Sequence, residues 1–95
     1  RGWGPPFAAD GQSAYFLSCN RNKVSLAADF SLPEDRELLR ALIQQADVVI
    51  ENFLPGTLTR YGLDADVLLA QNSGLVWCTI SGFGPDSGRP GYDFV

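Results

Sequence analysis

Apolar positions along the chain switch between helical and strand spacing, and each switch marks an element. Leu38, Leu39, Leu42, Ile43 and Ala46 recur at helical spacing and make one apolar face. Ahead of them Ser31 is followed three residues later by Glu34, a capping-box spacing, with Pro33 in the first turn where its missing N–H costs nothing. Glu34, Asp35 and Glu37 place negative charge at the positive end of the helix dipole. These signals predict a helix from Pro33 to Ala46 that covers one face of a sheet, with Arg36 and Arg40 solvated on its far side. Asp47 to Ile50 is then short, β-branched and flanked by polar residues, the pattern of a buried parallel strand. Leu75 to Ile80 reads as a strand, and so does Val24 to Asp29. Strand, helix, strand in this order implies a right-handed parallel crossover, so the three strands are expected as parallel neighbours in one sheet.

The intervening stretches are shorter. Arg1 to Phe7 carries Pro5 and Pro6, which lack donors and restrict their neighbours, and reads as a loop pinned by Trp3 and Phe7. Ser13 to Cys19 is either a helical turn or a strand. After Pro55-Gly56, Thr57 to Tyr61 makes a short helix closed by Gly62. Asp64 to Gln71 makes another, with Val67, Leu68 and Leu69 inward. Ser81 to Gly91 is a long loop whose four glycines let the backbone approach a ligand closely. In an open α/β sheet, ligands bind beyond the carboxyl ends of the strands. That puts the loops at Asn52-Phe53 and Ser81 to Gly84 side by side at the expected site. An amide beside a flat ring suits a purine or an amide-bearing cofactor; the plainer alternative is an ordinary loop with Phe53 in the core.

Composition narrows the function classes. An apolar fraction of 45% is that of a globular chain and excludes disorder as the default. The net charge of -4 leaves no surplus of cations for nucleic acid phosphates, although the seven basic residues could still build one local anion site. The turn Asn20-Arg21-Asn22-Lys23 is either such a site or simply solvated. No run approaches the ~18 consecutive apolar residues of a membrane span. Cys19 and Cys78 lack metal spacing and His partners, and read as structural free thiols of a reducing, cytoplasmic compartment. With no His, Ser-His and Cys-His arrangements are unavailable within these residues. The chain starts on Arg1 and stops on an apolar run, so it is expected to be a piece of a longer protein, cut at both ends. Physical reading alone gives an α/β domain with a ligand site at the strand ends and no assigned reaction.

Five motifs in order add more. Arg1-Gly2-Trp3-Gly4-Pro5-Pro6-Phe7, Asn20-Arg21-Asn22-Lys23, Glu51-Asn52-Phe53-Leu54-Pro55-Gly56, Ile80-Ser81-Gly82-Phe83-Gly84 and Arg89-Pro90-Gly91-Tyr92-Asp93 together resemble the class III CoA-transferases, which include formyl-CoA and carnitine CoA-transferases and α-methylacyl-CoA racemases. The resemblance implies that residues 1–95 are part of a CoA-binding, Rossmann-like large domain: an open parallel sheet with flanking helices, in an interlocked homodimer. It implies an acyl-CoA and a carboxylic acid as partners, coenzyme A as carrier, no metal, no nucleic acid and no membrane. Transfer would run through an aspartyl-CoA thioester on an Asp beyond this chain, so these residues carry part of the CoA site but not the covalent chemistry. By position, Asn52 and Phe53 match nucleotide contacts, Arg60 a phosphate or ribose contact, Thr57 and Tyr61 neighbouring lining positions, and Ser81 and Phe83 the path to the thioester. Two positions depart from the pattern: Val24 follows Lys23 where Arg is usual, and Ala28 stands where Leu is common. The alternatives are an acyl-CoA racemase or epimerase, or a non-catalytic nucleotide-binding module. A racemase needs a His before Asp93; Tyr92 stands there, a poor base with an ordinary pKa of about 10.

Overall fold

The computed structural model describes residues 1–89 and 91. In order, it contains α1 (Ala14–Cys19), α2 (Pro33–Gln45), β1 (Val48–Glu51), α3 (Thr57–Arg60), α4 (Ala65–Gln71) and β2 (Val76–Thr79). β1 and β2 pair in parallel with Val48 opposite Val76 and Glu51 opposite Thr79. The ladder is closed at its two ends by Val76 N–H to the Asp47 carbonyl and Ile80 N–H to the Glu51 carbonyl, both 2.9 Å. The α/β parallel architecture expected from the periodicity is therefore present, with α3 and α4 as the crossover between the two strands.

Among the described residues the sheet has two strands, not three. Residues 24–29 form no strand, and Val24 is 99% exposed. β-propensity describes fit to a half-buried pleated surface, and here residues 24–29 have no such surface against them. β1 is likewise not buried on both faces. Val49 is half-buried, while Val48 and Ile50 are exposed together with Val76 of β2. One sheet face is thus partly covered and the other is open.

α2 begins and ends close to its expected bounds, but its start is built differently. The N-cap is Leu32, which offers no side-chain acceptor, so the capping box of Ser31 and Glu34 does not form. Ser31 instead donates both its N–H and its hydroxyl to Asp29 Oδ1, at 2.8 and 2.7 Å. Pro33 at the first turn and the acidic Glu34 and Asp35 remain as start signals. Leu39 and Ile43 are half-buried, whereas Leu38 and Leu42 stay exposed. The helix packs chiefly on α4, and α4 in turn packs on β2.

Ser13 resolves the first short stretch as helix. It is fully buried, and its Oγ accepts the Phe16 N–H at 3.1 Å, which satisfies an otherwise orphan donor. α4 is capped in the same way by Asp64, whose Oδ1 accepts the Asp66 N–H at 2.8 Å. The buried apolar core consists of Leu63, Leu68 and Leu75, from the turn before α4, from α4 itself and from the approach to β2. Of the three residues expected inward on α4, Leu68 is buried, Leu69 is half-buried and Val67 is 54% exposed. Adjacent positions on a helix point about 100° apart, so three in a row cannot all face one partner.

Polar side chains tie α2 to the crossover. Asn72 Nδ2 donates to the Gln44 carbonyl at 3.2 Å and lies 3.5 Å from that of Ala46, and Gln44 Nε2 donates to Gln71 Oε1 at 2.8 Å. Arg40, expected to be solvated, pairs with Glu37. It also donates Nη2 and Nε to the Gly62 carbonyl, at 3.0 and 3.3 Å. Gly62 sits at φ +70, and a Cβ there would lie 2.6 Å from Arg40 Nη2. The backbone sign selects glycine at this turn, whereas the Arg40 guanidinium, at the end of a flexible side chain, could shift aside.

Candidate functional site

Parallel pairing sets the site. Because Glu51 stands opposite Thr79, the chain leaves both strands at the same end, through Asn52-Phe53 and Ile80-Ser81. A cleft of about 520 Å³ opens there between the two exit loops, α3 and the start of α4. Of the residues expected at the site, Phe53 and Ser81 line it. Glu51, Trp77, Thr79 and Pro85 line it too, and sequence reasoning did not single them out. Trp77 and Thr79 were legible only as strand residues. Their shared face follows from period-two alternation, but that this face meets a cleft follows from the packing.

Asn52 is exposed beside the cleft rather than in its wall. Thr57 and Arg60 are three residues apart on α3, with Thr57 half-buried and Arg60 exposed, and neither lines the cleft. α3 spans only four residues, and Arg60 lies in its last turn. A helix dipole is negligible at that length, so α3 itself adds no anion attraction beside Arg60. Any attraction to phosphate there comes from the guanidinium itself. Phe83 is 38% exposed and carries the Arg89 guanidinium 4.3 Å above its ring. The glycine loop serves backbone approaching backbone: a Cβ at Gly91 would come 2.6 Å from the Gly82 Cα. Tyr92 and Asp93 lie outside the described residues.

Three aromatic rings gather near the exit of β1. Phe30 meets Phe53 edge-on with centroids 5.5 Å apart, and meets Tyr61 at 5.6 Å. Tyr61 is half-buried and Phe53 is 43% exposed. The Phe53 backbone is held in turn, its N–H donating to Glu51 Oε2 at 2.9 Å.

The electrostatics of the cleft are acidic. Glu51, Asp64 and Asp66 line it, and no Lys or Arg does so among the described residues. Two of these carboxylates already have partners, Glu51 on Phe53 N–H and Asp64 on Asp66 N–H and the Thr59 hydroxyl at 3.2 Å. A phosphate group would be repelled from this wall, whereas hydroxyl and amide groups would find acceptors. Beyond the cleft, the two Ser31 hydrogen bonds hold the Asp29 carboxyl below its ordinary range, the side-chain bond contributing most. Among the described residues no three metal-ligating side chains come together, and no helix is long and apolar enough to cross a membrane.

A parallel strand pair joined by a helical crossover, its carboxyl ends opening onto a cleft, defines an α/β fold. The profile of CoA-transferase family III matches residues 1–95, and the chain belongs to that family. It is 46% identical over 103 residues to a succinate–glutarate CoA-transferase of Agrobacterium fabrum, covering 100% of this chain and 26% of that protein. It is 39% identical over 98 residues to the human succinyl-CoA:glutarate CoA-transferase, covering 100% of this chain and 22% of that one. The crystal structure of a CAIB/BAIF family protein from Brucella suis superposes with a TM-score of 0.85 at 53% identity, over 99% of this chain and 26% of that one. The chain thus spans about a quarter of the length of the relatives it matches.

Proposed function

We propose that the protein containing this chain transfers coenzyme A from an acyl-CoA donor to a carboxylic acid. The pairing of β1 with β2 carries the reading, because it brings the Asn52-Phe53 and Ser81 loops together at one sheet end in a chain that matches a CoA-transferase family along its whole length. The named relatives act on succinate and glutarate, so the donor and acceptor are taken to be short dicarboxylic acids.

Exchange between a thioester and a carboxylate conserves one thioester bond, so a protein carboxylate can carry it without an external energy source. An Asp outside residues 1–95 attacks the donor thioester carbonyl and expels the CoA thiolate, which leaves a mixed anhydride. The thiolate attacks the aspartyl carbonyl, forming aspartyl-CoA and releasing the donor acid. The acceptor carboxylate then repeats both steps in reverse, and the Asp is restored. The residues present here bind rather than react. Phe53 offers a ring to the adenine, Asn52 an amide to its edge, and Thr57 and Tyr61 neighbouring surface. Arg60 supplies a cation for phosphate or ribose outside the acidic cleft. Ser81 and Phe83 flank the path of the pantetheine arm toward the thioester. Coenzyme A enters as acyl-CoA substrate, and the full-length protein works as a homodimer.

The full-length protein mixed with succinyl-CoA and glutarate should form glutaryl-CoA and free succinate; no CoA exchange between any pair of dicarboxylates would overturn the reading. At the site, Arg60→Ala should weaken CoA binding by about 1.5–3 kcal/mol, the worth of a charge-assisted bond, or roughly one to two decades. Calorimetric titration with CoA and with CoA lacking its 3′-phosphate checks this. Equal affinities of wild type and variant for both ligands would remove Arg60 from the site.

A further inference from the structure

Phe30 carries none of the motifs, yet it touches two residues of the proposed nucleotide site. Its ring is edge-on to Phe53 at 5.5 Å and 65°, and tilted against Tyr61 at 5.6 Å and 58°. Both separations fall where aromatic quadrupoles attract beyond simple area burial. Phe53 leaves the end of β1 and Tyr61 closes α3, so Phe30 bridges two separate elements.

The backbone beneath Phe30 is held on both flanks. Asp29 Oδ1 accepts the Ser31 N–H and hydroxyl, and the Leu32 N–H donates to the Asp29 carbonyl at 3.0 Å. The Asp29 N–H donates to Asp35 Oδ2 at 2.7 Å, which ties the turn to the first turn of α2. The ring therefore projects from a fixed point, and Phe30 itself is half-buried. Phe53, by contrast, keeps 43% of its surface open. A ring fixed along one side and open on another is ready to stack on a base without first being ordered.

We propose that Phe30 is a positioning residue for the nucleotide end of coenzyme A, fixing the Phe53 and Tyr61 rings in the orientation that receives the adenine. The proposal rests on the reading of Phe53 as a nucleotide contact. Without Phe30 the Phe53 ring must be immobilised when the ligand binds, and that ordering subtracts from affinity. Base stacking needs only a π-face, so the loss falls on the adenine-bearing part of the ligand. Phe30 has no part in holding the pantetheine arm, which Ser81 and Phe83 flank on the same reading.

The test uses the full-length protein with Phe30→Leu, which keeps an apolar side chain of similar bulk, and Phe30→Tyr, which keeps the ring. Phe53→Ala serves as reference. Each is titrated calorimetrically with CoA, with adenosine 3′,5′-bisphosphate and with pantetheine. Phe30→Leu should weaken CoA and the bisphosphate alike, by about three- to tenfold, and leave pantetheine unchanged; Phe30→Tyr should bind all three as wild type does. Equal losses on all three ligands, or a Tyr variant as weak as the Leu variant, would show a merely structural role and overturn the proposal. Unchanged CoA affinity in Phe30→Leu, with a clear loss in Phe53→Ala, would overturn it while the functional reading stands. No loss of CoA or bisphosphate affinity in Phe53→Ala would overturn both the proposal and the reading of Phe53 as a nucleotide contact.

Discussion

Residues 33–79 and residues 1–29 are held by different forces. The later region contains the buried apolar side chains Leu63, Leu68 and Leu75 and the parallel strand pair. It also has the polar latches from Asn72 to the Gln44 carbonyl and from Arg40 to the Gly62 carbonyl. The earlier region has one buried residue, Ser13, and it is polar. What orders it is a set of individual contacts: the Ser13 cap, the Trp3–Tyr15 stack at 6.1 Å, and the Arg1 guanidinium 4.9 Å over Phe16. Strand-like sequence in residues 24–29 meets no sheet edge there. Burial stabilises in proportion to apolar area removed from water, whereas exposed hydrogen bonds and ring contacts contribute about 1 kcal/mol apiece. The comparison teaches that the site is built on the first kind of scaffold. From before α2, Phe30 reaches it through Phe53 and Tyr61.

Three substitutions in the full-length protein probe that contrast, each read by denaturant unfolding. Leu68→Ala removes a fully buried side chain between α4 and its neighbours, and should cost about 2–5 kcal/mol; a loss below about 1 kcal/mol would mean the later region has no real core. Ser13→Ala removes the cap of α1 and should cost about 1 kcal/mol. A penalty as large as that of Leu68→Ala would erase the distinction between the regions. Val24→Thr keeps the β-branch at a position that is 99% exposed, and should stay within about 0.5 kcal/mol. A larger loss would show that residues 24–29 are covered in the whole protein, and would restore the third strand that their pattern suggests.

Some of this was legible residue by residue. α2, β1, α3, α4 and β2 fall close to their expected bounds because each carries a local signal: Pro33 and its acidic neighbours, the β-branched run Val48 to Ile50, Gly56 and Gly62 around α3, and the Asp64 cap. The Ser31 cap failed because α2 starts with Leu32 as its N-cap, which leaves Ser31 one position too early, its hydroxyl donating to Asp29; spacing alone does not fix a helix start to the residue. In the candidate site, Phe53 and Ser81 were reachable as strand-exit residues. Trp77, Thr79 and Glu51 were not, since strand alternation tells which residues share a face but not what that face meets.

Sequence by itself therefore determined the type of α2, β1, α3, α4 and β2, the parallel sense of the pair and the end of the sheet at which the cleft opens, because period, caps and turn residues act over a few neighbouring positions. The motifs added the family. Tertiary structure alone decided that residues 24–29 remain outside the sheet and that Arg40 holds Gly62 rather than water. It also decided that Phe30 lies between Phe53 and Tyr61. Each of these depends on a partner twenty or more residues away or on the absence of one. Such contacts are chosen by the packing of the whole chain, where local propensity has no information to give.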